Sequence, residues 1–164
     1  MKRIFASLAL VISMTACGVS QQQEIQMGQD YSQQINAQLP IISDPEINRY
    51  VNVLGDQIAS RTSRADLPWR FYVVDSREVN AFAVPGGYVY VNTGTLAFLK
   101  SDAELQFFLA HEIGHQELKH VAKRITYATR ASQMAGQSAG TLAQTAYMTI
   151  AMGYSKEQEF EADA

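Results

Sequence analysis

Residues 111–115 read His-Glu-Ile-Gly-His, and this pattern restricts the chain more than any other segment. On an α-helix each residue turns by about 100°, so His111 and His115 lie about 40° apart on one face. Two neutral imidazoles in that register can grip one Zn²⁺, while Glu112 sits beside the metal without binding it. The motif is short enough to arise by chance on a surface helix. A second run, Glu-Phe-Glu-Ala-Asp at 159–163, narrows the reading to a metal site.

Catalytic zinc takes three protein ligands and leaves a fourth position to water, so a third ligand must come from elsewhere. His120, five residues after His115, is one candidate, but on a continuous helix it lies about 140° round from His115. The spacing His-x-x-x-His-x-x-Gly-x-x-His would need a histidine at 121, where the chain has Val121. His120 therefore reads as a surface or packing histidine rather than a ligand. Glu159, on a second helix beginning near Ser155, is the better candidate. Asp163 lies four residues on and faces the same way, which suits a carboxylate that accepts a hydrogen bond from a ligand imidazole. Glu157 and Glu161 fall on other faces and read as solvated charges. The alternative for this segment is an ordinary acidic helix end.

The chain has 164 residues, 47% hydrophobic and 18% charged, which fits one globular domain with its own core. A net charge of −3 and the lack of a basic cluster with interleaved aromatics argue against nucleic acid as a partner. At the start, Lys2 and Arg3 precede an apolar stretch at 4–14, too short for a bilayer span of about 20 residues. Met14-Thr15-Ala16-Cys17 follows, similar to the lipobox of bacterial lipoproteins. Residues 1–16 are thus expected to be a signal peptide and Cys17 the lipidated first residue of the mature chain; a plainly secreted protein is the alternative. Gly18 after the cysteine implies, by the same resemblance, the outer membrane. Cys17 is the single cysteine, so neither a disulfide nor a thiolate-rich zinc site is available within the chain.

Residues 17–43 are polar and Gln-rich and read as a tether and a weakly packed helix, ahead of a domain at 44–164. Asp44 caps a better helix, with Pro45 at its first position and Ile47, Val51, Leu54 and Ile58 on one face. Residues 69–75 alternate as a strand, Phe71 and Val73 opposite Tyr72 and Val74. Strands at 79–84 and 88–92 flank Pro85-Gly86-Gly87, a hairpin signal. A short helix at 93–100 leads to a long one at 103–130, capped by Ser101 or Asp102, with Leu105, Phe108, Leu109 and Ile113 as its buried stripe. Residues 131–155 carry no charge. A membrane span there would put Glu159 across the bilayer from His111 and His115 and bury Gln133, Gln137 and Gln144 in lipid. The segment is expected instead to lie over the motif helix, where it could gate the site.

Residues 111–115 together with 159–163 resemble the HtpX/CAAX-prenyl-protease-like (Ste/Oma-type) zinc metallopeptidases. Asn80-Ala81-Phe82-Ala83-Val84-Pro85-Gly86-Gly87 and Asp102-Ala103-Glu104-Leu105 are similar to further segments of that family, and the resemblance covers roughly residues 45–164. It implies a mainly helical α+β zincin fold of gluzincin type, with a small sheet and an active-site helix. His111, His115 and Glu159 would bind one Zn²⁺ per chain, Glu112 would be the base, and Asp163 would support a ligand. The hairpin, with Asn80, Ala81 and Phe82, would offer an edge strand to an extended peptide, where main-chain bonds give affinity without strict sequence preference; a plain core role is the alternative. With the lipoprotein-like start, the resemblance points to the periplasmic branch. Its substrates would be unfolded or misassembled envelope polypeptides, met by a protein held to the membrane through its lipid. Lys156 stands where the family has arginine. Because Ala164 follows the second motif at once, the peptidase domain is expected to be C-terminally incomplete. No group stands out as the oxyanion donor; Tyr88, Tyr90 and Tyr154 are candidates. The rival reading is a zinc-stabilised, non-catalytic periplasmic scaffold or chaperone-like lipoprotein. A metal-free helical lipoprotein is the third.

Overall fold

The computed structural model describes residues 19–136 and 155–163. The signal segment, Cys17, Tyr154 and most of the uncharged stretch, including its expected gating role, lie outside the described residues. Among the described residues, six helices and three strands follow in order: α1 (Gln21–Gln38), α2 (Pro45–Ala59), β1 (Arg70–Val74), β2 (Ala81–Val84), β3 (Tyr88–Asn92), α3 (Thr93–Phe98), α4 (Asp102–Glu117), α5 (His120–Met134) and α6 (Lys156–Ala162). This is a mainly helical α+β arrangement around a small mixed sheet.

Local chemistry explains most of the boundaries. Ser20 and Gln23 form a reciprocal capping box at the start of α1, and Ser155 and Gln158 repeat it on α6. The Asp44 carboxylate accepts from the amides of Glu46 and Ile47, with Pro45 at the first helical position. Ser101, rather than Asp102, caps α4. Gly86 (φ 80°) and Gly87 (φ 94°) make the hairpin turn in a backbone region that L side chains rarely adopt.

The sheet order is β1-β3-β2, with β3 parallel to β1 and antiparallel to β2. Helices cover both faces. On one, Phe71, Val73, Val89 and Val91 pack with Val51 and Leu54 of α2 and Leu105, Leu109 and Ile113 of α4. On the other, Val74, Tyr88 and Tyr90 pack with Ile35 of α1 and Val121 and Ile125 of α5. This double cover buries every residue of β3. The alternation foreseen for β1 thus sorts its side chains correctly, although both faces turn out to be core.

Two expectations fail. First, α1 is not weakly packed. Its Glu24 is fully buried and takes a bidentate bond from Arg64, at 2.7 and 3.0 Å. Arg64 also donates to the carbonyl of Gln116 at the end of α4, and Tyr90 donates to Ser32 or Asn36 of α1, each 3.0 Å away. A polar helix is held here by buried polar bonds that composition does not reveal. Second, the single helix expected over 103–130 is two. Leu118 ends α4, Lys119 adopts a left-handed conformation (φ 57°), and α5 starts anew at His120.

Candidate metal centre

The motif residues sit in the last two turns of α4, where the helix packs on the sheet through Leu105, Leu109 and Ile113. Gln116, one residue past His115, fastens this end to the hairpin, its amide donating to the carbonyls of Val84 and Tyr88. His111 Nε2 and His115 Nε2 face each other at 3.1 Å, with the rings nearly perpendicular. The α6 carboxylate of Glu159 lies 3.0 Å from His111 Nε2 and 3.9 Å from His115 Nε2. One ligand atom from each of these three residues falls within 4.8 Å of the others.

That spacing fits a small tetrahedral cation. Two ligand atoms each about 2.1 Å from zinc are separated by roughly 3.4 Å. Two imidazoles and one carboxylate are also a donor set that zinc accepts. Burial holds His115 neutral, its pKa lowered to about 3 by desolvation and then by His111 and His120. A lone pair on that ring is therefore available near neutral pH.

Glu112 points inward and is 5% exposed. Its Oε2 is buried with no hydrogen-bond partner among the described residues. Burial raises its pKa to about 7; nearby His111 opposes the rise and Glu159 adds to it. A buried acid with an unmatched oxygen, poised near neutrality beside a ligand cluster, is suited to carrying a proton.

The outer nitrogens of the two imidazoles also have partners. Asp163, the C-terminal cap of α6, reaches His111 Nδ1 at 2.8 Å. His115 Nδ1 lies 2.9 Å from His120 Nδ1, and His120 Nε2 lies 2.9 Å from Glu161 Oε2. Two details read from sequence are corrected here. His120 is the packing histidine of the two alternatives, 3% exposed, but it is not turned away from His115: it touches that ring, because the break at Lys119 resets the helical phase. Glu161, although exposed, is not merely a solvated charge. No glycine or proline marks the break, so no local signal could have revealed either residue.

Gly114, inside the motif, lets α6 come close. A Cβ there would lie 2.9 Å from the carbonyl oxygen of Ala162. Ala81 and Phe82 open β2, with Asn80 just before it, and among the described residues β2 pairs only with β3. The Asn80 backbone is tied to the Thr95 hydroxyl at 2.7 Å, and the Phe82 ring stacks on Tyr90 at 4.9 Å. Tyr90 is unsuited to stabilising an oxyanion, since its hydroxyl is engaged with α1 and burial raises its pKa.

A family model described as peptidase family M48 matches residues 45–164. The chain is 32% identical over 157 residues to a beta-barrel assembly-enhancing protease of Yersinia pestis, covering 84% of this chain and 32% of that protein. The protein of the same name in Escherichia coli K12 is 31% identical over 156 residues, with the same coverage. The mitochondrial metalloendopeptidase OMA1 of Schizosaccharomyces pombe is 31% identical over 121 residues, covering 70% of this chain and 36% of that one. The chain spans about a third of the length of these relatives.

Proposed function

The chain belongs to peptidase family M48, and from that premise we propose that it is a zinc-dependent metalloendopeptidase of gluzincin type. His111, His115 and Glu159 hold one Zn²⁺, Asp163 orients His111, and Glu112 is the general base. The observation that carries this reading is the convergence of three ligand atoms beside the buried Glu112, whose Oε2 has no partner among the described residues.

A bound Zn²⁺ would polarise the scissile carbonyl and make water acidic enough to attack near neutral pH. Glu112 takes the proton of the attacking water and returns it to the departing amine. Burial strengthens the hold of the Glu112 carboxylate on a proton, which suits it to take one from water and pass it on. Asp163 accepts from His111 Nδ1–H, which keeps the Nε2 lone pair turned inward. The outer side of β2, beginning at Ala81 and Phe82, adds an extended substrate as a further strand, which favours unfolded chains over folded ones. Asn80, its backbone engaged by Thr95 and Asn92, holds the start of that strand.

Substrates of this kind are unfolded or misassembled envelope polypeptides. Two relatives carry names that join proteolysis to β-barrel assembly, which supports that class. The lipobox-like segment ending at Cys17 supports a periplasmic lipoprotein held to the outer membrane. Among the described residues no helix is long and apolar enough to cross a membrane.

The test compares wild type with Glu112→Gln, both loaded with zinc, on a denatured outer-membrane barrel protein. The expected result is about one zinc per chain in each and cleavage by wild type alone. Equal zinc with no cleavage by either protein would overturn the enzymatic reading in favour of a zinc-stabilised scaffold.

A further inference from the structure

We infer that His120 and Glu161 are positioning residues for the metal centre. With His115 they form a carboxylate–imidazole–imidazole chain, Glu161–His120–His115, that fixes which nitrogen of His115 faces the metal. The inference rests on the reading of His111, His115 and Glu159 as ligands and extends it outward by two residues.

With both rings neutral and Glu161 ionised, one proton arrangement satisfies both contacts. The His115 Nδ1–H donates to His120 Nδ1 (2.9 Å), and the His120 Nε2–H donates to Glu161 Oε2 (2.9 Å). That arrangement leaves His115 Nε2 as the unprotonated nitrogen, the one 3.1 Å from His111 Nε2 and 3.9 Å from Glu159. Flipping the His120 tautomer would aim a lone pair at the carboxylate and an N–H at the His115 N–H. The Glu161 charge therefore selects the His115 tautomer through an intervening ring.

Burial explains why an imidazole stands between them. His111 is partly exposed and takes its carboxylate, Asp163, directly. His115 is fully buried and His120 nearly so. An ionised carboxylate placed against His115 would have to be desolvated at high cost, whereas a neutral ring carries the hydrogen bond outward. Glu161, with 62% of its side chain exposed, remains in contact with water. On a continuous helix His120 would point elsewhere; the left-handed Lys119 turns it back. One seven-residue helix, α6, thus carries Glu159, Glu161 and the capping Asp163, and so meets all three histidines.

The test is zinc affinity of the full chain, freed of metal and titrated against a chromophoric chelator, beside the melting temperature of the metal-free protein. Glu161→Ala should weaken zinc binding by about 10-fold or more, and His120→Phe by as much or more, up to about 100-fold. Glu161→Gln should recover part of the loss, because its amide oxygen still accepts from His120. In the His120→Phe background, Glu161→Ala should change nothing further, since the carboxylate then has no ring to act through. If His120→Phe does not fold, His120→Asn replaces it. Its amide oxygen occupies the Nδ1 position and accepts from His115 but cannot reach Glu161, so it too should be insensitive to Glu161→Ala. Wild-type zinc affinity in Glu161→Ala and in the His120 variant would overturn the chain. So would losses that multiply in the double variant, which mark a through-space charge, or losses that merely follow a lower metal-free melting temperature. Failure of wild type to bind zinc would instead overturn the ligand assignment beneath it.

Discussion

Glu112→Gln should stabilise the metal-free protein, and by an amount that grows with pH. In the folded chain burial raises the Glu112 pKa from an ordinary 4.5 to about 7. Between those values the folded state keeps a proton that the unfolded state releases, so stability falls as pH rises through that window. At about 1.36 kcal/mol per pKa unit, the full penalty is about 3 kcal/mol and is nearly complete at pH 8. At pH 5 it is only about 1 kcal/mol, because the unfolded carboxyl is still partly protonated. Glutamine has a similar shape and never ionises, so its advantage over wild type should grow by about 2–3 kcal/mol from pH 5 to pH 8. Comparing the two proteins at both pH values cancels the contributions of shared groups that do not face Glu112. The assay is urea unfolding of chelator-treated protein; with a slope near 2 kcal/mol per molar, the midpoint gap should widen by about 1 M. Zinc should shrink this pH dependence, since a nearby divalent charge favours the carboxylate. A gap equal at pH 5 and pH 8 in metal-free protein would refute the claim that Glu112 is held as a buried, poorly solvated acid.

Three further outcomes are expected. Arg64→Met strands the fully buried Glu24 and should cost about 3–5 kcal/mol in urea unfolding, most of it regained in the Glu24→Leu/Arg64→Met double variant; equal losses in both would mean that α1 is held by other contacts. Gly114→Ala improves helix propensity but sets a methyl against the Ala162 carbonyl. It should lower zinc affinity by about tenfold while metal-free melting stays level or rises; unchanged affinity would show that α6 adjusts freely. Lys119→Gly should raise stability by up to about 1 kcal/mol by relieving a left-handed lysine, and Lys119→Val should lower it by about as much or more. Thermal melts that rank valine above glycine would contradict the break between α4 and α5.

Where a segment's own neighbours determine its conformation, the sequence was sufficient. Asp44, Ser101 and Ser155 mark helix starts because their side-chain oxygens bond amides two or three residues on. Gly86 and Gly87 mark the hairpin because few other residues accept positive φ, and Phe71 and Val73 face away from Tyr72 and Val74 because strands alternate. The 40° step from His111 to His115 is likewise a property of any helix. The pairing of β1 with β3 in parallel, the clamp between Glu24 and Arg64, and the turn at Lys119 belong to the tertiary structure. Each carries a local cost, such as a buried charge or a left-handed lysine, that short-range rules count against it. Contacts between residues distant in the chain, as between β1 and β3, Glu24 and Arg64, or His120 and Glu161, offset that cost. The sequence by itself determined which chemistry the chain could hold. The tertiary structure decided which groups back it, because burial and partners in space set the cost of an ionised or left-handed residue, and spacing along the chain does not.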